Sequence, residues 1–432
     1  MIVTQNKTKY INHSFKGAPQ VLNEYGSLVK CLNTVLCDGF NEILLESLEV
    51  LSDNTLKINL PGTHGFILEQ VVSLSGALES EYNRDFRIID KQALYVILGN
   101  PGGIVFPPSS NEDNTISIKT AALGFSNVYT SSSEKVMCFK NKSSKNPGVL
   151  KVIDELSSGY PASWSKFARV VMGEEVDSSG EFLEGFKAPK HPNYPDSEKT
   201  GNGVSTSSGV HGFAKWWYAP GTDDYSRENV APPSNSPRRW ELIGDGNTFY
   251  FLINTEAGNV VCNFGFGNIF TEGAENTLAL QARDGFRTPS DIFDGNKRGQ
   301  YARESNHWGN LLSNSQGSFL SCDIFGGSNN VVRYYSTGLY FEDSLKDRPW
   351  NSSKIRGYNK YTGKLLSSKL FIKDDQGYSR GWHRGLNILY GSDHPGAGRL
   401  VGTPFLILEI TDPFVSGAAM PLMFTLEDWE EV

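Results

Sequence analysis

The apolar positions of this 432-residue chain come mostly in short runs of aromatic and β-branched residues, broken by clusters of Gly, Asn, Asp and Ser. The strongest stretch is Trp240 to Phe270, WELIGDGNTFYFLINTEAGNVVCNFGFGNIF. Its first two runs are parted by Asp245-Gly246-Asn247, residues that tolerate positive φ and close tight hairpins. A second break, Glu256 to Asn259, feeds a third run, Val260 to Phe264. The pattern predicts an antiparallel meander buried near the centre of a β domain.

One stretch reads as helical. Between Glu24 and Cys37, Leu28, Cys31, Leu32, Val35 and Leu36 fall on one face at helical spacing, and Gly39 supplies a stop. From Leu56 to Leu98 the period changes, and LKINL, FILEQVVSLSG, FRIID and ALYVIL predict the strands of a small barrel or sandwich. The polar run Ser109 to Asn114 then marks a boundary. Further strands are expected at 115–119, 121–129, 135–139, 149–156, 167–172 and 277–281, and again at 319–325, 331–335, 339–341, 365–372, 400–410 and 423–426. No fixed-period repeat is present, which argues against a solenoid or propeller.

The expected fold class is therefore mainly β, with a small N-terminal β-barrel or sandwich preceded by one helix and followed by a larger antiparallel β region with long loops. The expected division is an arm over 1–22, helix plus small β domain over 23–112, and the larger region over 113–432. Within that region, residues 186–239 hold seven of the 20 prolines and read as one long loop.

Composition sharpens this picture. Aromatics at 12% with 44 glycines suit short strands and tight turns better than helices. A net charge of −8 without a basic block argues against nucleic acid or an anionic membrane as partner. Five cysteines, at 31, 37, 138, 262 and 322, lack CxxC spacing, and their odd number points to reduced thiols and assembly in a cytoplasm. No apolar run approaches the roughly 18 residues of a membrane helix. Met1 to Tyr10 lacks the apolar core of a targeting signal.

Candidate chemistry is sparse. Gly377-Tyr378-Ser379-Arg380-Gly381 matches G-x-S-x-G, with His383 and His394 nearby, but a nucleophile elbow needs a helix after the serine and none is patterned there. In a chain this rich in Gly and Ser the match is read as chance, and the chain as no enzyme. No His pairs with another His or Cys at metal-ligand spacing, and Asp291 and Asp294 beside Gly295 lack the remaining ligands of a calcium loop. No cofactor is expected. The H-G-F triplets at His64 and His211 read as turn histidines. Trp216, Trp217 and Tyr218, a dense aromatic cluster inside the Pro-rich loop, are the candidate binding or interface residues. The other reading of the same cluster is an anchor folded onto its own domain.

Several segments resemble, in order, a family of tailed-bacteriophage virion structural proteins encoded among tail genes. They are LVKCLNTVLCDGF from Leu28, THGFILEQVVSLSGALESEYNRDFRIID from Thr63, ISIKTAALGFSNVYT from Ile116, RVVMGEEVDSSG from Arg169, WELIGDGNTFYF from Trp240, GQYAR from Gly299 and GRLVGTPFLIL from Gly398. The second resembles a small β module recurring in phage tail and fibre proteins. Phe125 stands where the family commonly has Trp, and the Pro-rich loop has no counterpart. The resemblance implies a structural component of the tail, baseplate or neck, assembled in the host bacterial cytoplasm through its arm and loop. Its partners would be other virion proteins and further copies of itself. The alternatives are a receptor- or glycan-binding protein at the tail tip, with Trp216, Trp217 and Tyr218 as a stacking platform, and a cell-surface hydrolase using Ser379.

Overall fold

The computed structural model describes residues 8–100, 102–107, 115–143, 147–157, 160–183, 234–254, 261–270, 379–389 and 419–429, with the strand residues 187–188, 205–206, 209–210, 214–219, 277–282, 310–313, 319–321, 358–359, 364–365, 367–374, 398–399 and 405–411. The described residues are mainly β, with one α-helix and several antiparallel sheets among them. The strands expected at 331–335 and 339–341, and Asp291, Asp294, His211 and His394, lie outside the described residues.

The meander forms as its pattern predicts. Trp240–Gly244, Thr248–Asn254 and Val261–Ile269 pair antiparallel in sequence order. The hairpin closes by a different device from the one expected. Neither Asp245, Gly246 nor Asn247 has a positive φ; instead the Asp245 carboxylate accepts from Asn247 N and Thr248 N, both at 2.8 Å.

Side chains alternate across a strand, and here both faces are apolar. Phe249, Phe251 and Ile253 enter one core, while Tyr250 and Leu252 enter another. The first core lies between the meander and a sheet of Ser126–Thr130, Val136–Lys140, Val149–Ile153 and Lys166–Gly173. The second lies inside the meander's own twelve-stranded sheet, which turns back over itself. Ile243, Tyr250, Leu252 and Ile269 meet Leu386, Leu406, Leu408, Leu422 and Phe424 from the C-terminal strands Ser379–Leu389, Phe405–Thr411 and Ala419–Thr425. Phe270 and Trp382 close this fold with a reciprocal backbone pair at 3.0 and 2.9 Å and stacked rings at 4.2 Å.

The small N-terminal sheet is a barrel. Its order is Phe40–Leu44, Ser117–Thr120, Val71–Ser75, Asp85–Lys91, Tyr95–Leu98, Leu56–Asn59, Ser47–Val50. The two end strands belong to one bent segment, 40–50, whose corner is held by Leu45 N to Ile116 O and Glu46 N to Asn59 O, each 2.9 Å. The hydrogen bonds thus run round the barrel. The interior holds Leu48, Ile58, Phe66, Val72, Phe86, Ile88, Val96 and Ile118.

Two expectations need correction. Ser117–Thr120, placed with the larger region, pairs with both Phe40–Leu44 and Val71–Ser75 and completes the barrel. The helix, grouped with the small domain, buries Leu28, Cys31, Leu32, Val35 and Leu36 in the first large core. It runs as an α-helix over Ser27–Asn33 and a π-turn over Thr34–Asp38, and ends at Gly39 with φ 75°. In the expected arm, Lys9–Asn12 pairs with Trp240–Gly244, and Ile11 and Val21 are buried.

Because the meander walls two cores, a defect on either face should weaken the whole unit. Phe251→Ala removes a side chain from the first core and Leu252→Ala from the second. Losses of about 3–5 and 2–5 kcal/mol respectively are expected. Urea unfolding followed by tryptophan fluorescence and by circular dichroism should show one coincident transition in each variant. Separation into two transitions in Leu252→Ala would mean the cores are independent.

Candidate functional site

The predicted aromatic cluster lies on strand Ala214–Ala219, which interrupts the Pro-rich segment and pairs with Lys166–Gly173. Trp216, Trp217 and Tyr218 are 0%, 3% and 0% exposed, so they form no surface platform. Trp216 stacks on Phe264 at 5.6 Å and meets Phe249 edge-on at 6.1 Å. Trp217 leans on Phe167 at 4.8 Å. The meander offers aromatic faces, and burial there removes more apolar area from water than an exposed site would.

Tyr218 leads to the first of two buried polar clusters. Its hydroxyl donates to Asp154 Oδ1 at 2.7 Å, while Asp154 Oδ2 accepts from Leu28 N at 3.0 Å and Val29 N at 3.2 Å. Asp154 is fully buried and stands just beyond Val149–Ile153. The helix begins at Gly26, which offers no side chain to cap it. Asp154 therefore supplies from a remote strand the acceptor that an N-cap residue supplies locally. Desolvation pushes its carboxyl up to about 6, against the pull of these donors. The other helix end is satisfied in the same way, by Leu123 N to Val35 O and by Gly124 N and Phe125 N to Leu36 O. Phe125 then packs edge-on against Phe249 at 5.5 Å.

The second cluster joins both ends of the described chain. Arg87, on the barrel, donates to Thr8 O at 3.2 Å, with Leu426 O at 3.5 Å. Lys9 Nζ binds Asp85 at 2.5 Å and donates to Ala122 O. Asp428 accepts from Thr8 N at 3.1 Å. Arg384 meets Asp245 at 3.4 Å in a buried ion pair and lies near Trp429 O at 3.5 Å. Burial still pushes the Asp245 carboxyl up, with Arg384 opposing. Gly385 beside it has φ 66°, and a Cβ there would fall 1.9 Å from the Trp429 indole nitrogen. That position requires glycine for space as well as for backbone.

The hydrolase motif meets this cluster without forming an elbow. Ser379 opens the strand Ser379–Leu389, so extended backbone follows it rather than a helix; Gly377 and Tyr378 lie outside the described residues. His383 points into the second core, 3.2 Å from Tyr250 Oη, and burial pushes its imidazole down to about 3. The Tyr250 hydroxyl also reaches Arg384 O at 3.0 Å. Donation by Tyr250 to that carbonyl and by His383 Nδ1 to the hydroxyl satisfies both.

His64 is a satisfied turn histidine. Its Nδ1 accepts from Phe66 N at 3.0 Å, which leaves the proton on Nε2 to donate to Gln92 O at 2.7 Å. Among the described residues, Cys31, Cys37 and Cys138 are free thiols, and no His, Cys, Asp and Glu group is arranged to hold a metal ion. No described helix is long and apolar enough to cross a membrane.

Asp154, Arg87, Arg384 and Lys9 carried no sequence signal, since their partners lie 18 to 339 positions away. Neither protein-family models nor curated proteins match the chain.

Two of the perturbed groups, Asp154 and His383, give opposite pH dependences. Asp154 protonates at about 6 when folded against an ordinary 3.8, so the native state takes up this proton first and gains stability as pH falls from about 6 to 4. His383 protonates at about 3 against an ordinary 6.5, so the unfolded chain takes up the proton first and stability is lost below about 6.5. Asp154→Asn should make stability fall more steeply with acid than in the unsubstituted protein, by up to about 1.4 kcal/mol per pH unit. His383→Gln should do the reverse. Urea midpoints at pH 7, 6, 5 and 4 measure both, and slopes unchanged in the two variants would contradict the assignment.

Proposed function

We propose that the chain is a structural component of a tailed-phage virion, in the tail, baseplate or neck, assembled with copies of itself and with other virion proteins in the host bacterial cytoplasm. The ordered series of segments resembling tail-gene virion proteins supports this reading. The observation that carries it is the use made of buried charge. Arg87, Lys9, Arg384 and Asp154 are fixed on main-chain groups of segments distant in sequence. Thr8, Leu426 and Trp429, from segments more than 400 positions apart, converge on two arginines. Holding sequence-distant segments on one core in this manner suits a building block that transmits force between neighbours.

Peptide mass spectrometry of gradient-purified particles encoded by the same genome is the test. The chain should be recovered in stoichiometric amount with the other tail proteins, and antibodies against it should decorate the tail or neck. Its absence from particles whose other tail proteins are detected would overturn the proposal.

A further inference from the structure

Beside the helix start lies a groove of about 510 Å³, within the range of small-ligand sites. Tyr25, half-buried, Lys166, Lys135 and Glu24 line it together with Asn23 and Asn235. Lys166 is only 8% exposed, yet its ammonium donates to two main-chain carbonyls, Ala162 O at 3.0 Å and Trp164 O at 3.4 Å, and otherwise lies over the Tyr25 ring at 5.6 Å. Among the described residues no carboxylate pairs with it. The fully buried Arg238 adds positive charge nearby. A buried cation without a counter-ion is costly in isolation, and an arriving anion would relieve that cost.

The rest of the groove narrows the kind of anion. Lys135 lies along Gly26, close enough that a Cβ there would be 3.1 Å from its Cγ, and it has no carboxylate partner among the described residues. Asn23 donates to Asn235 Oδ1 at 3.0 Å, and its own Oδ1 has no hydrogen-bond partner. Glu24 is exposed. A compact dianion such as phosphate would be repelled by Glu24. A rigid ring with many hydroxyls and one negative charge matches the whole set, because amides and a carboxylate bind hydroxyls, an aromatic ring packs on C–H faces, and ammonium groups take the acid.

We propose that this groove binds an acidic saccharide, with its carboxylate on Lys166 and Lys135, its ring against Tyr25 and its hydroxyls on Asn23, Asn235 and Glu24. The site stands independently of the virion assignment.

Titration calorimetry of the full chain with galacturonic acid, neutral galactose and inorganic phosphate tests it. The acid should bind at least about 10-fold more tightly than the neutral sugar, and phosphate at equal concentration should not displace it. Lys135→Ala, on the groove surface, should weaken the acid by about 10-fold with the urea midpoint unchanged, and Tyr25→Ala should weaken it by about 10-fold with its fold checked by circular dichroism. Lys166→Met should abolish binding, with its fold checked by circular dichroism. No binding of the acid, equal binding of the neutral sugar, displacement by phosphate, or indifference to both Lys135→Ala and Tyr25→Ala would overturn the proposal.

Discussion

The constraint on which the rest of the structure depends is that one antiparallel meander is buried on both faces. A strand with one wet face carries alternating polar residues, whereas Thr248–Asn254 reads TFYFLIN and has water on neither side. Phe249 and Phe251 gather the helix and the sheet of Val149–Ile153 and Lys166–Gly173, which includes the Pro-rich segment's strand Ala214–Ala219. Tyr250 and Leu252, on the other face, gather the C-terminal strands. Apolar burial contributes about 25 cal/mol per Å² wherever it occurs, but here the same backbone organises two cores, so loss of one removes a wall of the other.

Around this wall, polar groups act as ties rather than as a reaction centre. The helix is short and receives its end partners from elsewhere, Asp154 at one end and the 123–125 backbone at the other. Isolated helices of this length are marginal in water, so its existence follows from the sheets that flank it. The arginines at 87 and 384 act likewise for the segments at Thr8 and Leu426 to Trp429. Removing one partner from such buried pairs leaves an uncompensated charge, which costs about 3–5 kcal/mol. That asymmetry explains how a few side chains hold segments that bury little apolar surface themselves.

What could be read from the sequence follows from range. The meander, the helix face and the barrel strands at 56–59, 71–75, 85–91 and 95–98 are set by local period and were legible. Phe40–Leu44 and Ser47–Val50 were not, because Asn41, Glu42, Glu46 and Glu49 dilute their apolar pattern and the segment bends between two partners. Lys9–Asn12 is four residues long with a partner more than 200 positions away, and no local signal marks it. The aromatic triplet showed its importance but not its direction, since aromatic residues suit a core and an interface equally. Asp154 looks like any acidic residue after a strand until Tyr218 and the helix start are brought to it.

Hydrogen–deuterium exchange across a urea series tests the central claim most directly. If the meander is the common wall, amides of Thr248–Asn254 exchange only through global unfolding, and the strands Val149–Ile153 and Ala419–Thr425 lose protection with them at one urea concentration. Loss of protection in either outer strand at a lower concentration, with the meander and the other strand still protected, would contradict it.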